Sequence, residues 1–110
     1  SAHNGAEFPE YCASKGGVLA YTKNVALRVA KYGATCNSIS AGGVITELNA
    51  HILENKSLWD QVMAETLIPK WATVEEMAEW TYFLAVVNKS MTAQDVLIDN
   101  GEIAKANFVW

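Results

Sequence analysis

Only two stretches of this 110-residue sequence carry the pattern of a β-strand. One is "ATCNSIS" (residues 34–40), short and partly β-branched; the other is "QDVLID" (residues 94–99), closed by Asn100 and Gly101. Two strands do not make a self-sufficient sheet, since three or more are normally needed. If the two are parallel, the long segment between them is a crossover that must contain a helix. The expectation is an α/β chain whose two strands and three to four helices form the end of a larger doubly wound parallel sheet.

The helices read clearly. From Pro9 to about Tyr32 good helix formers dominate, with proline well placed to open the helix and Gly33 to end it. Small and apolar residues recur at Ala13, Gly17, Val18, Tyr21, Val25 and Val29, close to a 3.6 period. Gly42 and Gly43 mark a turn of special backbone geometry. Two short helical patterns follow from Glu47 to Thr66, with a break at Pro69. "TVEE" at residues 73–76 is a capping box, opening a helix that runs to about Val87. That helix is apolar on two faces, one with Val74, Met77, Ala78, Thr81, Leu84 and Ala85, the other with Trp80, Phe83 and Val87. Such a helix is usually buried on both sides. The tail "NFVW" is again apolar.

Composition removes several classes of function. A net charge of -4 leaves no electrostatic footprint for nucleic acid, and no basic cluster draws anionic lipid. The longest apolar run, from Trp80 to Val87, is too short to span a bilayer, and the N-terminus lacks the pattern of a signal peptide. Cys12 and Cys36 fit no CxxC or zinc spacing, and His3 and His51 complete no metal set. A soluble, cytoplasmic chain in a reducing compartment is expected, with no metal. Only 18% of residues are charged while 51% are hydrophobic, so some apolar surface is expected to meet a partner chain.

Tyr11 and Lys15 are four residues apart near the start of the first helix, which puts both on one face within reach of each other. A phenol titrating near about 10 is a poor acid or base at neutral pH. An ammonium a few ångströms away, with the positive end of the helix dipole, favours phenolate. A tyrosine so placed can pass a proton to or from a carbinol or carbonyl oxygen. Spacing alone leaves two readings open, an inconsequential surface pair or the acid and cation of a catalytic site.

Three segments in order, "YCASKGG", "GATCNSISAGGVIT" and "MTAQDVLIDNGE", together resemble the short-chain dehydrogenase/reductase family. The matching residues are Tyr11 and Lys15, then Asn37, Ile39, Gly42 and Thr46, then Asp99 and Gly101. The resemblance implies an NAD- or NADP-dependent oxidoreductase interconverting an alcohol and a carbonyl. Tyr11 would be its general acid/base; Lys15 would activate Tyr11 and hold the ribose hydroxyls. The turn with Gly42, Val44 and Thr46 would face the nicotinamide. Residues 47–70 would form the substrate loop and lid. Trp59 would line the pocket or, equally, pack within the helices. Ser1 is the upstream candidate for the family's catalytic, substrate-polarising serine.

The sequence also departs from the family pattern. Asn100 stands for the first of two final glycines, Ala41 replaces a proline, and Ser1 is somewhat close to Tyr11. A glycine-rich phosphate loop is absent, as is the asparagine of the family's tetrad. Residues 1–110 therefore read as a single partial domain, the C-terminal half of a reductase fold without its dinucleotide-binding half. As a free chain it is expected to show weak or no activity. The alternative is a non-catalytic remnant, or a fragment that works only within an assembly through its oligomer interface. Glu47, Asn49, His51, Trp59 and Met63 give the lid a mixed lining suited to a sugar, polyol or small ketone.

Overall fold

A computed structural model describes residues 8–105. Ser1, His3 and the apolar tail at residues 106–110 lie outside them. Helix α1 spans Pro9–Val29 and tightens into a 3-10 turn, Ala30–Tyr32. Gly33 ends it at φ 69, a left-handed conformation that costs glycine least. At the other end Phe8 sits at φ 45, and its carbonyl accepts from the Cys12 N–H at 3.0 Å.

The described residues contain two strands, β1 (Ser38–Ala41) and β2 (Asp95–Ile98), paired in one sheet. Ser38 N–H donates to Gln94 C=O and Gly42 N–H to Ile98 C=O, a constant offset that makes the pair parallel. Between the strands come a 3-10 turn (Glu47–Asn49), α2 (Ala50–Glu54), α3 (Lys56–Met63) and α4 (Val74–Tyr82). The expected capping box forms at α4. Thr73 Oγ1 accepts from Glu76 N–H at 3.1 Å, while the Glu76 carboxylate accepts from Thr73 N–H and from Lys70 Nζ. After Tyr82 the helix widens into a π-turn, Phe83–Val87.

Two compact units share these elements: residues 8–40 with 80–97, and residues 41–79 with 98–105. In the first, Thr22 and Ala26 of α1 are buried, with Leu19, Val25 and Val29 half-buried around them. At 100° per residue this face is rotated by roughly a quarter turn from the stripe through Gly17 and Tyr21 that the sequence suggests. Tyr21 is instead 70% exposed. Small residues occur all round α1, so their period alone does not select a face. Thr22 is buried without penalty because its hydroxyl donates to the Val18 carbonyl at 2.8 Å.

A lattice of side chains fixes the start of β1. Asn37 Nδ2 donates to Met91 C=O at 2.9 Å, and its Oδ1 accepts from Gln94 N–H at 3.1 Å. Ser38 and Ser40, on one face of β1, both donate to Asp95 Oδ1. The expectation that the last helix buries both apolar faces is not met. Trp80, Phe83 and Val87 remain exposed, with the Trp80 and Phe83 rings edge to face at 6.4 Å.

In the second unit Ala72 and Thr66 are the buried residues among those described. Asn100 adopts φ 54, and its carbonyl accepts from both Leu67 and Ile68 N–H. Asparagine tolerates this left-handed conformation better than most side chains. The departure from glycine at this position therefore leaves the turn intact.

Candidate active site

Tyr11 and Lys15 lie in the first two turns of α1, in line with the buried Thr22 and Ala26 further along the same helical face. Burial of the later turns anchors the helix, and the stretch that carries Tyr11 and Lys15 is left open. Tyr11 is 52% exposed, and the Lys15 ammonium lies over its ring, 5.2 Å from the centroid. The spacing thus brings phenol and ammonium together in cation–π contact.

The turn that carries Gly42, Val44 and Thr46 is held from several sides within the second unit. Gly42 N–H pairs with Ile98 C=O at 2.9 Å. A parallel bridge joins Val44 to Ala72, with Ala72 N–H on Gly43 C=O at 3.1 Å and Ile45 N–H on Ala72 C=O at 2.9 Å. Asn49 closes the turn: its Nδ2 donates to Val44 C=O at 2.9 Å and its backbone N–H to Thr46 C=O at 3.1 Å.

The expectation of special backbone geometry at the two glycines is corrected. Among the described glycines positive φ occurs at Gly33 and Gly101, not at Gly42 or Gly43. What these two positions require is space. A β-carbon on Gly42 would stand 2.7 Å from Asp99 Cβ, and one on Gly43 would overlap Cε2 and Nε1 of Trp71.

In the segment of residues 47–70 Trp59, on α3, meets Trp71 edge to face at 5.4 Å, and both indoles are half-buried. Trp59 is thus engaged in packing. Asn55 caps α3 by accepting from Leu58 N–H at 3.2 Å. Asp99 orders the chain after β2 through Gly101 and Ile103 N–H, both at 2.9 Å. Nearby, burial pushes the Glu102 carboxyl above the usual carboxylate range, and the charges of Glu65 and Asp99 add to the effect. No group of three metal-ligating side chains occurs among the described residues. Sequence reasoning did not single out Trp71 and Ala72, whose roles depend on contacts with Gly43 and Ile45 nearly thirty residues away.

The donor set fits a nicotinamide nucleotide. An exposed ammonium and phenol on one helical face suit vicinal ribose hydroxyls.

A parallel strand pair with helical crossover, a Tyr-x-x-x-Lys pair at the head of a long helix and a glycine turn after β1 define a class of α/β oxidoreductase folds. The family model described as enoyl-(acyl carrier protein) reductase matches residues 1–102, and the chain belongs to the short-chain dehydrogenase/reductase family. It is 28% identical over 103 residues to an L-rhamnose 1-dehydrogenase (NADP(+)) of Thermoplasma acidophilum, covering 92% of this chain and 41% of that protein. It is 33% identical to a D-beta-hydroxybutyrate dehydrogenase of Rhizobium meliloti, covering 86% of this chain and 41% of the relative. Among solved structures, a 4-hydroxyisoleucine dehydrogenase mutant complexed with NADH and succinate superposes with a TM-score of 0.78 at 28% identity. That match covers 88% of this chain and 40% of the other. The chain therefore spans about two fifths of the length of these relatives. Its fold is the C-terminal part of their Rossmann-like sheet.

Proposed function

We propose that the protein containing this chain is an NAD(P)-dependent oxidoreductase that interconverts a small alcohol and its carbonyl. The observation that carries the reading is the Lys15 ammonium lying over the Tyr11 ring on the open part of α1. The Tyr11 hydroxyl gives a proton to the carbonyl oxygen during reduction and takes it back during oxidation. Lys15 serves as the activator of Tyr11, and its N–H groups hold the ribose hydroxyls. The backbone of Val44 would hold the carboxamide, Gly42 lets the chain pass close to Asp99, and Thr46 would bond nearby. The bound nicotinamide supplies or accepts the hydride. Ser1, outside the described residues, polarises the substrate oxygen, and the lid of residues 47–70, Trp59 included, closes over the substrate.

NAD or NADP serves as cofactor, in keeping with relatives named for NADP(+) or solved with NADH. Both cysteines carry thiols, which suits the cytoplasm. No described helix is long and apolar enough to cross a membrane.

The test uses the full-length protein with NADH or NADPH and a panel of sugars, polyols and small ketones. Tyr11→Phe is expected to lower kcat by about a hundredfold or more while nucleotide affinity stays near wild type. Near-normal turnover in that variant would show that Tyr11 is not the acid.

A second reading is favoured by the exposed apolar side chains of Tyr21, Leu27, Trp80 and Phe83. On it, the 110-residue chain has no catalysis of its own and works inside an assembly, through a homo-oligomer interface or against a complementary N-terminal half. Titrating the isolated chain with NADPH separates the two: saturable micromolar binding speaks against this second reading.

A further inference from the structure

The Trp71 indole lies flat against Gly43, so close that any β-carbon there would overlap the ring. The next residue, Ala72, is 2% exposed and bonds to the backbone on both sides of Val44. Residues 71 and 72 therefore form a plate and a two-bond ladder that fix where the turn lies. Trp59, which comes from α3, meets Trp71 at 78° between ring planes. Edge-to-face indoles attract through their quadrupoles and resist sliding, because a shift of either ring loses the favoured geometry.

We infer that Trp71 is the positioning residue of the turn at residues 42–46 and that Trp59 ties helix α3 to it. The turn and α3 then respond as one body. The inference rests on the reading of that turn as the edge that meets a nicotinamide. Seating a nucleotide on the turn is felt in the lid, and closing the lid holds the turn. Asn49 reinforces the link, since its side chain bonds the turn at Val44 from the start of the lid.

Hydrogen exchange on the whole 110-residue chain tests the mechanical part. The amides of Ile45 and Ala72, both bonded across the bridge, are expected to exchange about fivefold faster in Trp59→Ala and Trp71→Ala. Trp59→Phe, which keeps an aromatic edge, is expected to restore most of the protection. The Ser38 amide, bonded to Gln94 in the other unit, is expected not to change. Unchanged exchange at Ile45 and Ala72 in Trp59→Ala overturns the link, and so does an equal rise at Ser38. If Trp71→Ala fails to fold, the two Trp59 variants carry the test alone.

A second readout addresses function. In the full-length protein, Trp59→Ala is expected to weaken NADH or NADPH binding about threefold or more, with Trp59→Phe near wild type. Equal affinity in all three proteins overturns the coupling to cofactor. If the wild type binds neither nucleotide while the exchange pattern holds, the oxidoreductase reading fails and the indole link stands.

Discussion

Gly42 and Asp99 approach so closely that a β-carbon on the glycine would stand 2.7 Å from Asp99 Cβ and 2.8 Å from its Cα. The second of these atoms is backbone and cannot swing away. Gly42→Ala is therefore expected to lower stability by about 1–3 kcal/mol, the usual range for overpacking. Urea unfolding followed by circular dichroism measures it. Gly33→Ala gives a control whose cost comes from φ, since nothing lies within 4 Å of the added carbon.

Asn37 spans two backbone partners, Met91 and Gln94, with one amide group. Asn37→Ala loses both bonds and is expected to cost about 1–2 kcal/mol. Asn37→Asp keeps the acceptor for Gln94 N–H but sets a carboxylate oxygen against the Met91 carbonyl, so its cost should match or exceed that of alanine. Paired denaturation curves decide the order.

Two glutamates are expected to bend the stability–pH curve in opposite directions. The Lys70 ammonium, hydrogen-bonded to Glu76 at 2.8 Å, holds that carboxyl below its ordinary 4.5. Its stabilisation is present above 4.5 and fades as pH falls through the lowered value. Burial, with Glu65 and Asp99 adding to it, raises Glu102 above 4.5, so the folded chain holds that proton more tightly. That contribution is present at low pH and lost as pH rises through the raised value. Glu76→Gln should flatten the acid limb, while Glu102→Gln should raise stability at neutral pH. Melting temperatures across pH 3 to 7 check both, the window spanning roughly the carboxylate range.

Lys15 is exposed, so Lys15→Met is expected to change stability by no more than about 0.5 kcal/mol. In the full-length protein it should lower kcat/KM about tenfold or more and weaken nucleotide binding. Lys15→Arg should recover only part, because a planar guanidinium does not reproduce a compact ammonium. Steady-state kinetics with calorimetric binding separates the two effects.

Local chemistry carried most of the fold into the sequence. Gly33 ends α1 by a left-handed residue, Thr73 and Glu76 cap α4, β2 lies within its expected stretch, and β1 takes the end of its own and runs on to Ala41. The Tyr11–Lys15 contact was legible for the same reason, since four residues on a helix determine it. What depends on distant partners was not legible. The inward face of α1 is chosen by what packs on it, and a helix rich in Ala and Gly offers no contrast to reveal the choice. Gly42 and Gly43 looked like residues chosen for φ, but their reasons are Asp99 and Trp71, far along the chain. The apolar face with Trp80 and Phe83 announced burial that the described residues do not provide.

The parallel pairing has a kinetic side. Its tethers join residues 56 or 57 apart in sequence, as between Cys36 and Thr92 or Asn37 and Gln94. Closing a loop of that length costs roughly 3.5 kcal/mol of chain entropy before any bond forms. Helix α1 and the capped start of α4 need only neighbours, so they can appear within microseconds of collapse. The sheet has to wait for a long-range meeting. In stopped-flow refolding, helical ellipticity should therefore rise before the Ser38 amide gains protection. The strand pair is the clasp of this chain, last to shut.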